Sequence, residues 1–251
     1  MLASTHTPSS VFATFVGRFQ AVGDPERALQ QQAYMKSAMP LFGVGAPEVA
    51  RICRDVLEPW PFDSIADWRE AVLELWHRAT HRELRHAALA LLEHKEARFY
   101  QGLRRTARGA VPEGSEALAT EMLELCGELI TTGAWWDLVD PLASRRLGAL
   151  LLEHNVLTTE VMLVWSRDSD IWLRRAAIIS QLKLGDATDR KLLIQTIEPA
   201  LDAPEFWLRK SIGWALRQYA RVEPAWVRST VGALGPRLSP LSRREALKHL
   251  G

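Results

Sequence analysis

Only two of the 251 residues are cysteines, Cys53 and Cys126. That excludes a disulfide framework and a four-cysteine zinc or iron–sulfur centre. Both sit among apolar neighbours and read as small core side chains. Long hydrophobic runs are missing too: no stretch of about 18 uncharged apolar residues occurs, so no transmembrane helix is expected. The first ten residues lack a basic-plus-apolar leader pattern, which points to a cytoplasmic protein. There is no glycine-rich phosphate loop, no GxSxG and no plausible Ser–His–Asp order. Four of the seven histidines (His77, His81, His86 and His94) crowd one stretch. They lie among Arg78, Arg82, Arg85 and Lys95 without HExxH spacing, so no zinc site is expected; the missing ligand cluster is consistent with chemistry that needs no metal or redox cofactor. Strand-like alternation is nearly absent.

What is present begins with charge. The formal net charge of +1 conceals an asymmetry. Residues 1–164 carry 16 Lys+Arg against 21 Asp+Glu, a balance of −5; residues 165–251 carry 15 against 9, a balance of +6. A basic C-terminal third suits a polyanionic partner. Lysine accounts for only 6 of the 31 basic residues and arginine for 25, a bias compatible with bidentate phosphate contacts and equally with a GC-rich coding background.

Helical periodicity covers the chain, with no linker long enough to divide it, so a single domain over 11–251 is expected behind a flexible lead-in at 1–10. Gly23-Asp24-Pro25 closes a first helix and opens a second through Tyr34-Met35-Lys36. Ala46-Pro47-Glu48 starts another, with Pro47 where its missing N–H costs nothing. Asp63 or Ser64 caps the next, and Val111-Pro112-Glu113-Gly114 is the clearest break in the first half. The periodicity predicts further helices near 116–131, 156–166, 169–184, 187–200, 204–221 and 223–234. Ser242-Arg243-Arg244-Glu245 has capping-box spacing before a last short one. Ile171-Trp172-Leu173-Arg174-Arg175-Ala176-Ala177 aligns with Phe206-Trp207-Leu208-Arg209-Lys210-Ser211-Ile212 at an offset of 35. Ala134-Trp135-Trp136 and His81–Ala88 give fainter copies. Helical pairs recurring at this period indicate an all-α, HEAT-like solenoid, a stack that curves to present a concave surface.

Equivalent faces of successive second helices would line one surface. The first of these helices offers Trp136 and Asp140 at i and i+4, the second Arg175 and Lys183, and the third Lys210, Trp214 and Arg217 on one face. Each has a purely structural alternative. Trp136 could anchor the core with Asp140 near a helix terminus, and Trp214 could pack over Gly213. Arg175 could be a ladder arginine pairing with an acid of a neighbouring repeat, with Arg174 competing for that role. Lys183 and Arg217 could be solvated surface charges.

These marks together resemble the HEAT-like-repeat DNA alkylation repair proteins, the alkylpurine DNA glycosylases of the AlkD type. The resemblance lies in Tyr34-Met35-Lys36 with Gly43-Val44 and Pro47; Trp135-Trp136-Asp137-Leu138-Val139-Asp140; Asp168 through Ile178 with Gln181-Leu182-Lys183; Ile212-Gly213-Trp214-Ala215-Leu216-Arg217-Gln218-Tyr219; and Ser242-Arg243-Arg244-Glu245-Ala246-Leu247. It covers about residues 34–250 in order. It implies a right-handed solenoid with a concave DNA-binding surface, acting as a monomer on duplex DNA containing alkylated purines, in a bacterial or archaeal cytoplasm at the nucleoid. By the resemblance Asp140 is the catalytic acid, Trp136 and Trp214 flank the lesion, and Arg175 is the active-site arginine at the DNA backbone. Lys183 and Arg217 match further basic positions on the DNA-facing surface, and Tyr34 an aromatic near the site; Lys210, on the helix face of Trp214 and Arg217, is expected as one more DNA contact. A DNA-structure binder that has kept the scaffold without base excision, and a protein-interaction scaffold, are the competing readings.

Overall fold

The computed structural model describes residues 8–104, 109–110 and 112–250. Among them every regular element is helical. The chain divides into two compact units, Met1–Val111 and Pro112–Gly251, and the division falls at the Val111-Pro112-Glu113-Gly114 break. Most of the lead-in expected at 1–10 lies outside the described residues; helix α1 (Pro8–Ala21) begins three residues before Val11.

In the first unit α1 is followed by α2 (Pro25–Met35), α3 (Ala46–Leu57), α4 (Ile65–His77), α5 (Arg82–Glu93) and the single turn α6 (Ala97–Tyr100). Helices α1, α3, α4 and α5 pack together around Phe15, Phe19, Leu57, Leu75, Trp76, Leu84 and Leu91, all fully buried. The starts follow the local chemistry. The Asp24 carboxylate accepts the Glu26 and Arg27 N–H groups ahead of Pro25, and the Ser64 hydroxyl accepts the Asp67 N–H. No side chain of helix α2 is fully buried. The loop after it is held by Glu83, which is 2% exposed and accepts the backbone N–H groups of Phe42, Gly43 and Val44 at 3.0–3.1 Å. Gly43 permits this wrapping: it sits at φ +82, and a Cβ there would meet the Asp24 carbonyl oxygen at 2.0 Å.

The second unit runs through α7 (Ser115–Gly133), α8 (Trp136–Pro141), a π-helical segment (Leu142–Leu147), α9 (Gly148–Glu153), α10 (Asn155–Trp165), α11 (Ile171–Ile179), α12 (Arg190–Ile197), α13 (Phe206–Tyr219), α14 (Pro224–Leu234) and α15 (Pro240–Leu247). It is built as two rows. Helix α11 packs on α8 and the π segment on one side and on α13 on the other, and α13 packs on α15; α7, α10 and α12 make the second row. Contacts between neighbours along a stack are the α-solenoid pattern. Leu173 and Leu208, equivalent in the 35-residue repeat, are both buried.

Of the helix boundaries that differ from the sequence expectation, two have a clear local cause. Helix α11 stops at Ile179 rather than running to 184. The Gln181 side chain turns back to donate to the Asp189 carbonyl and accept the Asp189 N–H, at 3.0 and 2.7 Å, which pins a turn there. The last helix opens at Ser239-Pro240, where the Ser239 hydroxyl accepts the Ser242 N–H. Ser242 is therefore already inside α15, its hydroxyl donating to the Arg209 carbonyl of α13, and no Ser242–Glu245 capping box forms. Pro240 at the first helical position is what moves the start forward.

Candidate active site

Asp140 is the last residue but one of α8, and the helix around it is irregular for a local reason. Pro141 supplies no N–H and its ring crowds the preceding turn, so the α-helical ladder cannot pass through it. The chain widens into the π-helical turn Leu142–Leu147, in which the Gly148 N–H reaches the Ala143 carbonyl. Such π insertions recur at functional sites. The Ser144 hydroxyl donates to the Asp140 carbonyl at 2.7 Å, closing the turn behind the acid.

The Asp140 carboxylate meets Arg175 of α11. Arg175 Nε and Nη2 donate to Oδ1 and Oδ2, both at 2.8 Å, a parallel two-bond fork. The pair is largely withdrawn from solvent, with side chains 14% exposed for Asp140 and 3% for Arg175. The remaining Arg175 nitrogen, Nη1, donates to the Trp207 carbonyl of α13 at 2.8 Å. Burial raises the Asp140 pKa above the ordinary carboxylate value; the hydrogen bonds and charge of Arg175 pull it back, and Asp137 adds a small upward push. The result is a carboxylate held in one orientation by two charge-assisted bonds, in a setting drier than bulk water.

Arg175, not Arg174, is thus the ladder residue; Arg174 donates instead to the Pro199 carbonyl at 2.8 Å. All donor nitrogens of the Arg175 guanidinium are engaged inside the protein. In the DNA-free protein this side chain is committed beside the acid.

Lys210 and Arg217 of α13 are also paired. Lys210 Nζ contacts Glu245 at 2.7 Å and Arg217 contacts its other carboxylate oxygen. The Lys210 hydrogen bond foremost, with the charges of both cations, holds the Glu245 carboxyl below the usual range against a smaller effect of burial. The spacing explains the geometry. Asp140, Arg175, Lys210 and Glu245 stand 35 residues apart in succession and occupy one position of the repeat, so each ion pair joins adjacent members of a ladder. Gly213 allows α15 to come this close: a Cβ there would meet Glu245 Cβ at 2.5 Å and the Ser242 carbonyl oxygen at 2.8 Å.

Trp136 and Trp214 are half-buried and make no ring–ring contact among the described residues. Trp136 opens the first turn of α8 and lies one helical turn before Asp140. Lys183 is exposed, in the turn after α11 rather than on it, so no shared helix face relates it to Arg175. Tyr34 lies in the first unit on α2 and is 77% exposed.

The sequence reading missed the aromatic cluster next to the acid. The rings of Trp135, Trp172 and Trp207 form a triangle with centroids 5.7–5.9 Å apart. The Arg175 guanidinium carbon lies 5.6 Å from the Trp207 ring. The signal was available: Trp172 and Trp207 are equivalent in the 35-residue repeat. The histidine-rich stretch is used in stacking, His81 on Phe42 and His94 on Trp60. Burial pushes the Cys53 and Cys126 thiols up to about 12, so neither is a thiolate near neutrality.

Comparison with known proteins gives a family match and a structural match. Residues 16–250 match the family model for the DNA alkylation repair enzyme. A solved structure described as "Predicted DNA alkylation repair enzyme from Enterococcus faecalis" is 27% identical, with 91% of this chain and 97% of that one covered and a TM-score of 0.72. A search of curated proteins gave no significant match.

Proposed function

The chain belongs to the DNA alkylation repair enzyme family, and from that premise we propose that it is a DNA glycosylase. Its substrates are cationic N3- or N7-alkylated purines, such as 3-methyladenine and 7-methylguanine, in duplex DNA. The observation that carries this reading is the Asp140 carboxylate, oriented by two bonds from a buried arginine on the next helix of its row.

Alkylation at N3 or N7 puts positive charge on the purine and weakens its bond to C1′. As that bond breaks, the electron pair leaves with the base and the sugar takes on oxocarbenium character, as in glycoside hydrolysis. A preorganised carboxylate stabilises that developing cation and positions the water that adds to C1′. The products are the free base and an abasic site. Arg175 keeps Asp140 ionised against its desolvation and holds it still. Trp136 and Trp214, half-exposed indoles, offer π faces to a cationic base or to polarised sugar C–H groups, an attraction of about 0.5–2 kcal/mol each. Lys183, Lys210, Arg217 and Tyr34 serve duplex binding, with phosphate contacts that weaken as salt rises. The protein acts as a monomer in the cytoplasm, at the nucleoid.

The test is release of 7-methylguanine or 3-methyladenine from methylated duplex DNA by the wild type and by Asp140→Asn. The wild type releases base and the variant loses at least about a hundredfold in rate, as for removal of a preorganised charge at a developing cation. A folded wild type that releases nothing refutes the reading in favour of a non-catalytic binder of damaged or branched DNA; full release by the variant removes Asp140 from the chemistry.

A further inference from the structure

The starts of α8, α11 and α13 each contribute one indole to the tryptophan triangle. Trp135 is the residue that precedes α8, five positions before Asp140. Trp172 is in the first turn of α11, three positions before Arg175, and is 6% exposed. Trp207 is in the first turn of α13. Its ring stands 5.7 Å from each of the other two. Three rigid ring systems, one pair meeting edge to face and two tilted, resist sliding of one helix past another, because any slide opens a gap in their contact.

Trp207 also touches the guanidinium twice. Its carbonyl accepts Nη1, and its ring lies 5.6 Å from the guanidinium carbon, within cation–π range. With Nε and Nη2 committed to the Asp140 carboxylate, Trp207 occupies the opposite side of the arginine. Arg175 thus links the acid of α8 to a residue of α13. The charged groups that act on the Asp140 carboxylate are Arg175 of α11 and Asp137 of its own helix.

We propose that Trp207 is a positioning residue for Asp140, acting through Arg175 and the tryptophan triangle and touching neither the DNA nor the reacting atoms. Its catalytic consequence rests on the reading of Asp140 as the acid of base excision.

The experiment compares Trp207→Leu and Trp207→Phe with wild type in single-turnover release of 7-methylguanine across pH. Affinity for the same duplex is measured in parallel. A 13C NMR titration of the Asp140 carboxyl follows in the DNA-free protein. Trp207→Leu slows release roughly tenfold with duplex affinity unchanged, since a small loss of orientation acts on the chemical step. Its acid limb moves to higher pH, because a carboxylate with loosened support from Arg175 protonates more readily. Trp207→Phe, which keeps an aromatic face, recovers most of both. Wild-type rate and wild-type carboxyl titration in Trp207→Leu overturn the proposal, and so does a rate that falls only in step with affinity and thermal stability. A wild type that releases no base removes the functional reading alone. The carboxyl titration then still decides whether Trp207 sets the Asp140–Arg175 pair.

Discussion

Removing Arg175 tests the site's electrostatics without reference to any substrate. In Arg175→Ala the Asp140 carboxylate stays mostly enclosed, 14% exposed in the wild type, but loses both of its charge-assisted bonds. Breaking a buried ion pair from one side costs about 3–5 kcal/mol, because the charge left behind is uncompensated. For a chain of this size that lowers the thermal midpoint by roughly 6–20 °C at neutral pH. The pH dependence has a definite sign. The folded-state pKa of Asp140 is already raised by burial, so the folded protein binds this proton more tightly than the unfolded chain. Such a group penalises stability above its folded pKa and is relieved as pH falls through it. Taking away Arg175, the group that pulls the pKa down, raises it further and widens that window. The deficit of Arg175→Ala relative to wild type is therefore largest at neutral pH and shrinks as pH falls through the raised pKa. Adding Asp140→Asn removes the charge and recovers part of the loss at pH 7. Thermal and guanidinium denaturation of wild type, both single variants and the double variant between pH 5 and 8 supply the numbers. A single-variant loss under about 1 kcal/mol, within the range of an exposed pair, refutes the reasoning. A deficit independent of pH, or a double variant no more stable than Arg175→Ala, does the same.

Two further changes probe the neighbouring rung of the ladder. Glu245→Gln releases Lys210 and Arg217 from their shared acid; these cations are partly solvated and screened, so stability falls by no more than about 1 kcal/mol. The slope of log affinity for duplex DNA against log salt steepens by about one, since a further positive charge becomes available to phosphate, and an unchanged slope in anisotropy titrations contradicts this. Gly213→Ala would ordinarily stabilise a helix interior, but the new Cβ meets Glu245 Cβ at 2.5 Å and the Ser242 carbonyl oxygen at 2.8 Å. Overpacking of this kind costs about 1–3 kcal/mol, and a variant more stable than wild type in chemical denaturation would show that α15 can move aside.

The all-helical repeat architecture was legible in the amino-acid sequence, because it rests on local information. Periodicity of 3.6, caps at Asp24 and Ser64, prolines at helix starts and the 35-residue recurrence of Trp-Leu-Arg are each readable within a few residues of where they act. Asp140 and Arg175 were singled out there too, from their helix faces and the family resemblance. Their contact was not. Whether Arg175 or Arg174 faces the preceding helix depends on how α11 is rotated against α8, and packing sets that rotation. Lys183 fell off its helix because the Gln181 side chain found the backbone of Asp189, eight residues away. Glu245 fitted a capping box by spacing, yet Pro240 started the helix earlier and left that carboxylate for two cations of α13. The tryptophan triangle shows the same division. Its repeat period is written in the chain, but three indoles meet behind one arginine only when three helices are stacked. Sequence by itself determined which segments are helical and which side chains recur; the tertiary structure decided which recurring charges meet, because an ion pair is settled by distance and burial and neither is local.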